Sequence, residues 1–357
     1  MNDTSLRIGL VGYGLAGSAF HAPLISTTPG LRLAAIVTAD PERRRSAAGT
    51  YPGVRLVERP EELWAGPTMA GELDAVVIAS PNRTHAPLAR AALEAGLAVV
   101  VDKPLTATAA EGAALVELAA ERGLLLTVYQ NRRWDGDFRT ARRLVDEGAL
   151  GRVLRLESRY ERWRPVPKGG WRESGDPADA GGLLYDLGSH LVDQALQLLG
   201  PASEVYAEVH RRRAGINVDD DVFVALRHAG DARSHLWMSA LAASPGPRLR
   251  LLGDKAAYVK YGMDVQEDAL RAGRLPTEPG WGEEDPANYG VLTVDGQDRT
   301  VPTEPGAYQQ FYRGLATALR DGAPPPVEPA DAVATLTVLE AARRSAEHGQ
   351  VIKLPAT

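Results

Sequence analysis

An apolar stretch, Leu6–Val11, runs directly into Gly12-Tyr13-Gly14-Leu15-Ala16-Gly17. Few folds suit that combination. Gly12 permits a tight strand-to-helix turn, Gly14 lets backbone approach a pyrophosphate, and Gly17 lets helix and strand pack closely. The helix that follows offers N–H groups and the positive end of its dipole to phosphate oxygens. The pattern therefore predicts a dinucleotide site on Gly12, Tyr13, Gly14, Leu15, Ala16 and Gly17, inside a βαβ unit.

The next hundred residues keep that rhythm. Strands are expected over 6–11, 33–38, 73–79, 97–101 and 124–129, with helices over 15–26, from Pro41, over 84–95 and over 109–122. Such alternation indicates a parallel, doubly wound sheet, the Rossmann arrangement. Beyond about residue 150 apolar and polar residues alternate in 153–160, 205–211, 222–227 and 248–252, the mark of a sheet with one covered face. Helices are expected over 183–199, 308–320 and 329–347, and loops over 274–282 and 322–326. The predicted fold is an α/β Rossmann domain (1–128) plus an α+β C-terminal domain (129–357) with a large, mostly antiparallel open sheet. The C-terminal helix is a candidate to pack back on the Rossmann domain.

The acid expected near the end of the second strand of NAD-binding domains has no clean counterpart. Asp40 lies two residues past the usual tip and precedes Pro41, so it reads as a helix cap. The tip itself is Thr38. A hydroxyl there, with Arg43 and Arg44 in the next turn, suits a 2′-phosphate and favours NADP over NAD.

Two further segments carry chemistry. Asp102-Lys103-Pro104 stands at the carboxyl end of a strand, where open α/β sheets place ligands. In Gly181-Gly182-Leu183-Leu184-Tyr185-Asp186-Leu187-Gly188-Ser189-His190, a helix brings Asp186 and His190 to one face, with Asp193 close by. A carboxylate beside an imidazole suits proton transfer, and equally an ordinary buried hydrogen bond. A metal held by Asp186, His190 and Asp193 lacks a fourth ligand, so none is expected. The runs 43–45, 211–213 and 219–221 read as solvated faces and turns.

Composition closes off other classes. Without cysteine there is no disulfide, thiolate nucleophile or zinc-thiolate site. A formal charge of -6 argues against a nucleic-acid surface. The first residues lack the basic segment of a signal peptide, and no stretch approaches the ~18 apolar residues of a membrane span. The expected location is cytoplasmic.

The ordered set of fingerprint, Ser80-Pro81-Asn82-Arg83-Thr84-His85, Asp102-Lys103-Pro104 and Gly181-Gly182 through Asp186 to His190 resembles the glucose-fructose oxidoreductase / inositol dehydrogenase (Gfo/Idh/MocA) family, across nearly the whole chain. The segments 130–135, 185–190, 258–262 and 266–268, with Arg172, resemble a branch that includes the NADP-dependent scyllo-inositol dehydrogenases and several uncharacterised oxidoreductases. That resemblance implies a catalytic set of Lys103, Asp186 and His190. It implies that Asn82, His85 and Trp134 lie near the nicotinamide, with Ser80, Pro81, Asp102 and Lys103 also candidates to hold the cofactor, and that the open sheet serves dimer or tetramer contacts. Arg132, Asp135, Tyr160, Arg172 and Asp193 are candidates to bind a polyol or sugar. The chain departs from the family at Asp102, where glutamate is usual, and at the Thr38 tip. The expected activity is hydride transfer between a secondary alcohol of a sugar or cyclic polyol and NADP or NAD. The alternatives are reduction of an aldose, deoxysugar or diol, and a non-catalytic sugar-sensing regulator.

Overall fold

The computed structural model describes residues 5–64, 72–167, 169–170, 173 and 175–355. The chain divides into two compact units. The first comprises Met1–Asn131, Gln266–Trp281 and Ala307–Val333; the second comprises Arg132–Val265, Gly282–Gly306 and Ala334–Thr357.

The first unit is built on β1 (Leu6–Val11), α1 (Ala22–Thr27), β2 (Leu31–Val37), α2 (Pro41–Thr50), β3 (Arg55–Val57), β4 (Ala75–Ile78), α3 (His85–Glu94), β5 (Ala98–Asp102), α4 (Ala109–Arg122) and β6 (Leu126–Tyr129). Its six strands lie in the order β3-β2-β1-β4-β5-β6, all pairs parallel. The sheet is apolar on both faces, as a parallel sheet covered by helices must be: Val76, Val77, Ile78, Val99, Val100 and Val101 are fully buried. The strand order reverses at β1 and β4, the switch point where such sheets bind ligands.

The expected helix over 15–26 opens instead as a π-helical turn, Ala16–His21, before α1. Pro23 accounts for it. In a regular helix its ring collides with the carbonyl four residues back, and a widened turn relieves the clash. The short strand β3 carries only three residues and left no periodic signal to read.

The second unit contains α5 (Gly136–Asp146), β7 (Val153–Glu161), α6 (Leu183–Asp186), α7 (Gly188–Leu199), β8 (Ala202–His210), β9 (Asp221–His228), β10 (Arg233–Ser239), β11 (Leu249–Gly253) and β12 (Ala256–Lys260). The chain then adds α8 (Gln266–Arg271) to the first unit, β13 (Gly290–Val294) and β14 (Gln297–Val301) to the second, and α9 (Gln309–Asp321) to the first. It ends with α10 (Pro329–His348) and β15 (Ile352–Lys353). The nine strands run β14-β13-β12-β11-β7-β10-β9-β8-β15, antiparallel except for β10 on β7. Inward residues Leu156, Val224, Leu236 and Leu251 are buried, while outward neighbours such as Phe223 and Trp237 keep partial exposure.

Three readings are corrected here. The helix expected over 183–199 is two helices, interrupted at Leu187. Gly188, a poor helix former, follows the break, and a side chain there would lie 3.1 Å from the Met238 sulfur and 3.3 Å from Leu339. Second, 219–221 is no solvated turn: Asp219 and Asp220 are buried. Asp219 accepts the Leu184 N–H at 2.6 Å and so caps α6. Third, Arg213 is buried against Asp220 and Glu173 rather than solvated.

Gly17 is fixed by its surroundings, because an added Cβ would stand 2.0 Å from the Gly12 carbonyl oxygen. Gly49, within α2, meets nothing within 4 Å. Gly17→Ala should therefore cost about 3 kcal/mol or more of stability, whereas Gly49→Ala should gain up to ~1 kcal/mol. Denaturant unfolding of both variants checks this contrast; equal effects would contradict the assigned packing.

Candidate functional site

At the switch point of the first unit, Gly12 adopts φ +99°, and a Cβ there would lie 2.6 Å from the Ala79 carbonyl. Gly14 is open by comparison, with only the Arg43 guanidinium 3.8 Å from where its Cβ would stand. That cradle is the kind a pyrophosphate needs, so the residues present fit a dinucleotide. The Tyr13 ring is buried, and its phenol pKa is raised by burial, against hydrogen bonds from Thr50 and Ser46. Leu15 is exposed and Ala16 opens the π turn.

Thr38, at the tip of β2, is buried, and its carbonyl accepts from Arg44 at 3.3 Å. Asp40 caps α2 by accepting the Glu42 and Arg43 N–H groups, both at 2.9 Å. Those bonds, the one from Arg43 first, hold its carboxyl below the usual range.

Along the neighbouring strand ends, Ser80 shares a hydroxyl hydrogen bond of 2.5 Å with Thr84, and Pro81 leads into a 3₁₀ turn, Asn82–Thr84, in which Asn82 is buried. His85 starts α3. Its ring nitrogens lie 2.9 Å from the Ser80 carbonyl and 2.8 Å from the Pro104 carbonyl. The imidazole thus ties the loop after β4 to the loop after β5. Burial pulls its pKa down, opposed by those two carbonyls and by Asp102.

Asp102 ends β5 and accepts the Lys103 N–H at 2.9 Å. Burial works to raise its pKa, but His21, whose Nε2 stands 3.8 Å away, and the Lys103 ammonium outweigh it and hold the carboxyl below the usual range. Lys103 is thus held half-buried beside a carboxylate at a strand's carboxyl end.

In the second unit, His190 is 5 % exposed in the first turn of α7. The ring of Tyr160 meets it edge-on, centroids 6.3 Å apart and planes at 89°. Asp186 ends α6, and its carboxylate lies 3.9 Å from the Arg162 guanidinium. The break at Leu187 stands between Asp186 and His190, so no single regular helix face carries both.

Around Tyr160 lies a buried polar cluster. Its hydroxyl donates to Asp135 at 3.4 Å and accepts from Arg248 at 2.9 Å. The Arg132 and Arg248 guanidinium carbons stand 4.9 and 4.2 Å from its ring centre, within cation–π range. Asp135 is fully buried, 3.3 Å from Arg132. Burial raises its pKa well above the carboxylate range; Arg132 opposes this while Asp264 and Asp137 add to it. Asp193 is engaged by a bidentate fork from Arg133, at 2.5 and 2.9 Å. Trp134 completes the 3₁₀ turn Asn131–Trp134 that carries these arginines. Arg172 lies outside the described residues.

Of the expected site residues, the second unit gathers Arg132, Asp135, Tyr160 and His190; the first gathers the glycines, Thr38, Arg43, His85, Asp102 and Lys103. Sequence reasoning missed Arg248, Gln194, Asp137 and Arg162. Only Gln194 left a signal, standing four residues beyond His190 on the same face of α7. Among the described residues, no group of His, Asp or Glu suits a metal ion, and no helix is long and apolar enough to cross a membrane.

The chain is similar to known oxidoreductases along nearly its whole length. Over 98% of the chain and 96% of the relative, it is 36% identical to the scyllo-inositol 2-dehydrogenase (NADP(+)) IolW of Bacillus subtilis. It is 40% identical to the uncharacterized oxidoreductase YdgJ of Escherichia coli, covering 98% of each. Among solved structures, the Bacillus subtilis protein yvaA superposes with a TM-score of 0.91 at 35% identity, covering 98% of this chain and all of that one. An oxidoreductase from Bacillus cereus gives 0.88 at 28%, covering 99% of each. Residues 6–130 match the NAD-binding Rossmann fold of the oxidoreductase family and residues 142–354 match its C-terminal alpha/beta domain. The chain is therefore an oxidoreductase of the Gfo/Idh/MocA family.

Proposed function

We propose that the protein oxidises a secondary alcohol of a cyclic polyol, of the scyllo-inositol type, with NADP as acceptor. The observation that carries this reading is full-length similarity to an NADP-dependent scyllo-inositol 2-dehydrogenase. Bound at the glycine cradle, the dinucleotide supplies the two-electron hydride acceptor. His190 accepts the hydroxyl proton, and Asp186 orients it or binds a neighbouring hydroxyl. Lys103 hydrogen-bonds the reacting oxygen and stabilises the charge that develops on it. The carboxylate of Asp102 keeps an electrostatic partner beside that ammonium. Arg132, Asp135 and Tyr160 offer the paired donors and acceptors that a polyol requires, with Arg172 a further candidate; Asp193 supports them through Arg133. Asn82, His85 and Trp134 are assigned to the nicotinamide end of the cofactor, with Ser80 and Pro81.

The preference for NADP is supported by Arg43, whose guanidinium stands beside Gly14, and by Asp40, whose carboxylate caps α2. The outward face of the nine-stranded sheet, with Phe223, His235 and Trp237 in mutual ring contact, is assigned to homo-oligomer formation. A location in the cytoplasm accords with a soluble cofactor and substrate.

Three outcomes are expected. Lys103→Ala and His190→Ala should each lower kcat with scyllo-inositol by roughly 100-fold or more; near wild-type turnover in either would refute its role. NADP should outperform NAD in kcat/KM, and Arg43→Glu should cut that ratio by about tenfold or more, the loss of one charge-assisted contact. A wild-type preference for NAD would remove the Arg43 assignment. Light scattering should find a dimer or tetramer that Trp237→Glu dissociates; a wild-type monomer would exclude the sheet interface.

A further inference from the structure

Arg248, immediately before β11, is 2 % exposed and lies far from any role that its sequence neighbours suggest. Its guanidinium is spent entirely on the interior of the second unit. Nε forms an ion pair with Asp137 of α5 at 3.0 Å. One terminal nitrogen donates to the Ser158 hydroxyl of β7 at 2.5 Å. The other donates to the Tyr160 hydroxyl and to the Gln194 side-chain amide oxygen Oε1, both at 2.9 Å. A single side chain thereby joins α5, β7 and α7.

Two of those bonds end beside the imidazole. The Tyr160 and His190 rings meet in a T-shaped contact, and Gln194 lies one turn further along α7. Gln194 also donates to the Arg132 carbonyl at 2.8 Å, fixing the segment that carries Arg132 and Asp135. Burial raises the Tyr160 phenol, so it keeps its proton and can donate to Asp135 while accepting from Arg248. We propose that Arg248 is a positioning residue for His190, acting through Tyr160 and Gln194. The proposal rests on the assignment of His190 as the base. Arginine is required because its planar fork reaches four partners in fixed directions; lysine offers a compact point charge.

The test uses full-length Arg248→Lys and Tyr160→Phe, with scyllo-inositol and NADP as assay pair and ¹³C-histidine-labelled protein for NMR. Arg248→Lys should lower kcat on the order of tenfold to a hundredfold, the cost of misplacing a catalytic group by about an ångström. KM for NADP should stay within about twofold, since the cradle belongs to the other unit. The His190 ring resonances should move while the other histidines stay put. Tyr160→Phe, which keeps the packed ring and removes only the hydroxyl, should show the same pattern more weakly. Unchanged kcat with unmoved His190 resonances would overturn the proposal, and if Arg248→Lys does not fold, Tyr160→Phe decides alone. Movement of all histidine resonances together would mark general loosening and also overturn it. Should His190→Ala keep full turnover while Arg248→Lys still moves His190, the positioning stands and the base assignment fails.

Discussion

Charged groups buried away from water must be paired, and the interior of the second unit is organised around that requirement. Arg248 meets Asp137, Arg133 meets Asp193, Arg132 meets Asp135, and Lys260 meets Glu284. None of these pairs is a cheap source of stability, because desolvation offsets most of the attraction. What they provide is direction. A bidentate fork or a filled guanidinium has one low-energy arrangement, and each links elements distant in sequence. The Asp193–Arg133 fork and the Gln194–Arg132 bond fasten α7 to the segment before α5, so His190 shares a frame with Arg132, Asp135 and Tyr160.

The same logic reaches the start of α6. Gly182 takes φ +90°, and a Cβ there would come within 2.4 Å of the Asp219 carboxylate. Glycine at position 182 leaves room for that carboxylate, which caps the helix from the loop just before β9. In the first unit the corresponding device is His85, which bridges two strand-end loops and lies near the carboxylate that neighbours Lys103.

Local rules made part of this legible. The fingerprint glycines, the apolar strands of the parallel sheet and the Asp40 cap all follow from neighbours in sequence, and the structure places them as expected. The alternation in β7 and β9 announced an antiparallel sheet with one covered face. What escaped was non-local. Nothing near Arg248 marks it as buried, because its partners come from residues 137, 158, 160 and 194. The acid run at 219–221 looked solvated because the helix end that Asp219 caps lies 35 residues away, and the nearby Arg213 pairs with Asp220 only through a loop that no periodic pattern announces. The break at Leu187 was hidden by a pattern whose apolar spacing suits one continuous helix. The glycine that follows it faces Met238 and Leu339, a tertiary contact that leaves no mark in the local sequence.

The proposed reaction moves hydrogen directly from an alcohol carbon to the cofactor, with His190 proposed to take the hydroxyl proton. It is tested most directly by a single turnover with scyllo-inositol carrying deuterium on its ring carbons, the recovered cofactor being weighed by mass spectrometry. The account predicts one deuterium in the reduced NADP formed by the wild type and almost none formed by His190→Ala in the same time. Reduced cofactor without deuterium, or equal transfer by the variant, would contradict it.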